Sequence, residues 1–95
     1  MIRGLLPIGS VVLLGNSTKR VMIIGVAQRG VNQETKLRDY VGVVFPEGYL
    51  DSEKLFLFDN EQITQIFALG YQDAEQLAFK KKADEMMVEL RKQEG

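Results

Sequence analysis

The sequence predicts an α+β fold: a small, strongly bent antiparallel sheet or barrel-like domain of four to five strands, followed by a long C-terminal helix. Three observations carry this. Short β-branched or aromatic runs recur up to about residue 69, each closed by Gly, Pro, Asn or Asp. After Tyr71 the composition turns to Ala, Glu, Gln, Lys, Leu and Met, with neither Gly nor Pro before the final residue. A chain of 95 residues suffices for one modest core. Residues 1–71 therefore read as a small β domain and 72–95 as a helix packed on it, in a single folding unit.

The chain is organised around Leu5 to Leu14 (LLPIGSVVLL). Pro7 removes a backbone donor and Gly9 permits unusual dihedrals, so a turn precedes the strand Ser10 to Leu14. Gly15 to Lys19 is a polar turn, and Arg20 to Ala27 (RVMIIGVA) returns as a second strand, making a hairpin. Gln28 to Leu37 lacks periodicity and reads as an exposed loop or a frayed strand end. Asp39 to Phe45 (DYVGVVF) is the third strand, closed by Pro46-Glu47-Gly48. Gly25 and Gly42 fall inside strands, where glycine marks a bulge or close backbone approach.

Tyr49 to Glu53 is a connection, and Lys54 to Phe58 (KLFLF) is a short fourth strand. Asp59-Asn60 can cap a single helical turn over Glu61-Gln62. Ile63 to Leu69 (ITQIFAL) fits helical or strand spacing, and its β-branched residues favour a fifth strand. Gln72 to about Lys92 is helix, ~30 Å long at 1.5 Å per residue. Placing residues 100° apart gives two apolar stripes. Ala74, Leu77, Ala78 and Val88 form one, Phe79, Ala83, Met86, Met87 and Leu90 the other. Either the first docks on the sheet and the second covers an edge, or the second faces another chain with coiled-coil-like spacing.

No familiar chemistry is visible. Without histidine or cysteine there is no His base, Ser-His-Asp triad, disulfide or ordinary zinc site. Ser10, Ser17 and Ser52 have no partner base beyond scattered lysines. Asp51, Glu53, Asp59 and Glu61 lack the spacing of a calcium loop, and the glycines form neither GxGxxG nor a P-loop. No catalytic residue, cofactor or metal is expected. The net charge of −1 argues against a dedicated nucleic-acid binder, although residues 1–50 carry +3 and residues 51–95 carry −4. Lys80-Lys81-Lys82 reads as a solvated helix face. No segment approaches the ~20 apolar residues of a membrane span, and the apolar start is broken by Pro7 and Gly9 rather than built as a signal peptide.

Leu5 to Val12, Val21 to Gly25, Tyr40 to Gly48 and the run Ile63 to Leu69-Gly70-Tyr71 together resemble a family of small uncharacterised Gram-positive proteins. The genes of that family sit beside LXG toxins of type VII (ESX-like) secretion systems. LLPIGSVV is the most specific segment, and the helix matches only in type. The resemblance implies a non-enzymatic accessory or adaptor, chaperone-like and cytoplasmic or co-exported with its cargo. Its partner would be the helical N-terminal domain of an LXG toxin or another small secretion factor. Candidate protein contacts are Phe56, Phe58, Phe79, Ala83, Met86, Met87 and Leu90. The alternatives are a homo-oligomer, such as a homodimer through its helices, and a small β-barrel binding nucleic acid through Arg3, Lys19, Arg20, Arg29 and Lys36.

Overall fold

The computed structural model describes residues 4–29 and 36–94. Five strands appear in chain order: β1 (Val11–Leu14), β2 (Val21–Arg29), β3 (Leu37–Val44), β4 (Phe56–Phe58) and β5 (Ile63–Ala68). One helix, α1 (Ala74–Glu94), follows. Single 3-10 turns at Ser52–Lys54 and Asn60–Gln62 flank β4. The first of these lies in the stretch expected to be a plain connection; Asp51 creates it by accepting the Glu53 N–H at 2.8 Å. Ile63 to Ala68 is strand, as the β-branched residues favour. Of the expected loop from Gln28 to Leu37, residues 30–35 lie outside the described residues, and its two ends belong to β2 and β3.

All pairings are antiparallel, in the order β4-β3-β2-β1-β5. In a flat sheet the two edge strands would lie four spacings apart, ~19 Å. Only residues 59–62 join β4 to β5, and three of them form a 3-10 turn that rises ~2.0 Å per residue. So short a link forces the sheet to curl. The bend expected from sequence is thus imposed by the connection, and it is relieved by register shifts between Ile23 and Gly25 and within the β1–β5 pair. Gly42 allows the curl to be tight: a Cβ there would lie 2.6 Å from Val21 Cγ1 and 2.9 Å from the Met22 carbonyl.

Inside the curl lie Val12, Val21, Ile23, Leu37, Tyr40 and Phe58, closed over by Leu5 and by Ala83 and Met87 of α1. Helix docking differs from both stripe readings. Gln76, Lys80, Ala83, Asp84, Met87, Leu90 and Arg91, three and four apart, are the residues turned from solvent. Leu77 and Val88 of the first stripe are more than half exposed. The second stripe is split, with Ala83 and Met87 buried, Leu90 against the core, and Phe79 and Met86 outside. The cause is polar: Lys80, Asp84 and Arg91 share the docking face because their charged ends find partners on the chain.

Candidate functional site

The two segments most characteristic of the chain meet. Ser10 is fully buried, and its Oγ donates to the Pro7 carbonyl at 2.7 Å and accepts the Gly70 N–H at 3.0 Å. Gly70 presses directly on the Pro7–Gly9 turn: a Cβ at that position would lie 1.8 Å from the Ile8 carbonyl oxygen. A hydroxyl small enough for a buried turn and a residue without a side chain are what this latch requires. Ser10 therefore ties the start of β1 to the end of β5, and its hydroxyl has both partners within the chain.

A second set of bonds straps the N-terminal segment over the core. The Leu5 N–H donates to Asp84 Oδ1 and the Leu6 N–H to Tyr40 Oη, each at 2.8 Å. Asn60 Nδ2 donates to the Gly4 carbonyl at 2.8 Å, and the Tyr40 hydroxyl donates to Asn60 Oδ1. Burial pushes the Tyr40 phenol up to about 12 from its ordinary 10.0. The folded state thus favours the protonated phenol, so this stability is complete below about pH 10 and lost as the pH rises toward 12. Two units correspond to roughly 2–3 kcal/mol. Urea midpoints are expected to fall across that alkaline window, and Tyr40→Phe should flatten the fall while costing about 1–3 kcal/mol at neutral pH through the orphaned Leu6 N–H. Equal alkaline slopes for the two proteins would remove Tyr40 from this role.

Arg91 clasps the last turns of α1 to the sheet. Its Nη2 donates to Asp39 Oδ1 and Asp59 Oδ1 at 3.1 Å and to the Leu37 carbonyl at 3.2 Å. Arg38 Nη1 reaches Asp59 Oδ2 at 3.2 Å, and the Asn60 N–H donates to Asp39 Oδ2 at 2.9 Å. Burial pushes the Asp39 carboxyl above its ordinary value, against the pull of the Asn60 N–H and Arg91. Burial acts the same way on Asp59, but the Asp39 N–H, Arg38 and Arg91 together hold it below the usual range.

The sequence candidates divide. Phe58, Ala83 and Met87 are core residues, so in this fold they are not surface contacts; Phe58 packs on Tyr40 with ring centroids 5.3 Å apart. Leu90 rests against the core and Phe56 is 39% exposed. Phe79 and Met86 remain on the surface, a heptad apart and therefore about 20° apart around the helix. Phe79 also borders a small cavity of about 70 Å³ with Pro7, Ile8, Val26 and Tyr71. Ile8 and Tyr71 were not among the sequence candidates; their signal was their place beside the latch motifs. Gln76 Oε1, in the same wall, has no hydrogen-bond partner among the described residues.

The charged candidates are largely engaged. Lys19 pairs with Glu47 at 2.7 Å, and the Arg20 guanidinium lies 5.2 Å from the centre of the Phe45 ring. Lys36 is exposed, while Arg3 and the Arg29 side chain lie outside the described residues. Among the described residues no group of three or more carboxylates is placed to hold a metal ion, and no helix is long and apolar enough to cross a membrane.

The fold and its bonds define a small α+β protein, five antiparallel strands curled under one helix, with its polar side chains tied into internal straps and apolar side chains left outside. The chain belongs to the family described as Domain of unknown function (DUF4176), which it matches over residues 5–79. No curated protein and no solved structure matches it.

Proposed function

We propose that this protein is a non-enzymatic adaptor that holds the helical N-terminal domain of an LXG toxin, or another small helical factor, for type VII secretion. The setting rests on the resemblance of the Leu5–Val12 segment and the other motifs to proteins encoded beside such toxins. The observation that carries the physical part is the uncovered flank of α1. Phe79 and Met86 stand about half exposed, and Phe79 borders the small cavity with Ile8 and Tyr71. Anchors a heptad apart suit an incoming amphipathic helix, and a flexible thioether adapts to varied partners. The adaptor acts in the cytoplasm before export or travels with its cargo.

Titration of a purified LXG N-terminal domain onto the protein tests this. Phe79→Asp with Met86→Asp is expected to weaken binding at least ~30-fold, since two apolar anchors are each worth more than about 1 kcal/mol. Circular dichroism should stay unchanged because both side chains lie outside the core. Unchanged affinity in a folded double variant would reject this flank as the binding surface.

A further inference from the structure

We propose that the partner of the α1 flank is a helix whose apolar stripe is bordered by a cation, an anion and a cation at heptad spacing, read by Glu75, Lys82 and Glu89. The inference rests on Phe79 and Met86 being the anchors, and it names the charge chemistry of what covers them. Glu75, Lys82 and Glu89 are exposed and follow one another a heptad apart. At 3.6 residues per turn they lie about 40–80° to one side of Phe79, while Ala83 and Gln76, in the wall of the small cavity, lie about 40–60° to the other. One edge of the anchor stripe thus adjoins the chain's own cavity, and the other presents acid, base, acid to whatever lies on it. Lys80 and Asp84, on the docked side, are tied to each other at 2.6 Å. Glu75 and Lys82 make no ion pair among the described residues, and Glu89 makes only a 3.6 Å contact with Lys92, both side chains 70% exposed. Charges along the edge of a helix pair choose the partner and its register.

The same pattern selects against a second copy of this chain. A twofold antiparallel pairing that sets Phe79 against Met86 keeps like edges together, so Glu75 falls beside Glu89 of the second copy and Lys82 beside the second copy's Lys82. Sliding by a heptad brings Lys82 onto an acid, but it then sets Met86 against Gln72 or Phe79 against Gln93 and uncovers an anchor. A uniformly basic helix would match both acids and clash at Lys82. Only the alternating border meets three opposite charges while both anchors are covered. Because acid-base-acid reads alike in either direction, the pattern fixes the partner's register and leaves its direction free.

Two synthetic amphipathic helices of identical composition and identical apolar positions test the proposal by chemical-shift titration of the full chain. One is bordered Lys-Glu-Lys at heptad spacing, the other Glu-Lys-Lys. The first is expected to bind at least ~10-fold tighter at low ionic strength, because it matches all three charges and the second only one. In about 1 M salt, where the Debye length is about 3 Å, the ratio should fall toward one. Lys82→Glu should erase the preference, since either order then matches two of three acids, and Phe79→Asp with Met86→Asp should weaken both peptides. Equal affinities for the wild type, with both peptides bound, overturn the charge reading and leave the anchors standing. Failure of both peptides to bind overturns the charge reading and the anchors together. A preference that outlives Lys82→Glu or the loss of the anchors also overturns the proposal, because the charges being read would then lie elsewhere.

Discussion

Gly70→Ala is expected to remove about 3–5 kcal/mol of stability and to lower the melting temperature by at least ~12 °C. The added methyl would meet the Ile8 carbonyl oxygen at 1.8 Å, and backbone, not a flexible side-chain tip, stands in its way. Relief means moving the Pro7–Gly9 turn or the end of β5, and either motion breaks the Gly70 N–H bond to the buried Ser10 Oγ. Orphaning a buried hydrogen-bonding group costs about 1–3 kcal/mol before any repacking. A domain of this size holds only about 5–14 kcal/mol in total, so the loss is a large fraction of it. Thermal denaturation followed by circular dichroism measures the effect. A variant melting within a few degrees of the wild type would mean that the latch does not hold β1 to β5.

Phe58→Ala is expected to cost about 3–5 kcal/mol, and Phe56→Ala less than about 1 kcal/mol. The two rings are neighbours in β4 and look alike in the run KLFLF. Phe58 is 1% exposed and sits opposite Tyr40 in register, while Phe56 is 39% exposed opposite Gly42. Truncating the first opens a hole beside the Tyr40 ring, whereas truncating the second removes surface that water already reaches. Urea unfolding of the two variants gives the comparison. Similar losses would mean that β4 does not present these residues so differently to the core.

The five strands were legible because each is a short apolar run between turn residues, whereas what imposes the curl, the four-residue link from β4 to β5, shows only once the strand order is known. Ile63 to Ala68 became strand through partners fifty residues away in β1, which no local pattern contains. The latch was half visible. Pro7 and Gly9 announced a turn, but that Ser10 meets Gly70 is a fact of topology, 60 positions along the chain. The helix face was misread because a stripe of apolar residues ignores charged side chains that dock. Arg91, Asp84 and Lys80 lie on the buried side, each satisfied by a partner on the chain. For the same reason Ala83 and Met87 were read as surface contacts when they complete the core, and the neighbouring Phe79 and Met86 are the ones left outside.

The strap over the core has a consequence for synthesis. Leu5 waits for Asp84, 79 positions later, and Gly4 waits for Asn60, 56 positions later. A growing polypeptide leaving the ribosome holds its own beginning unfastened until most of the message has been read. Closure is consequently a late, cooperative event dominated by distant contacts, and such topologies fold slowly. Until Asn60 and Asp84 have been made, nothing holds Leu5 over the hydrophobic interior.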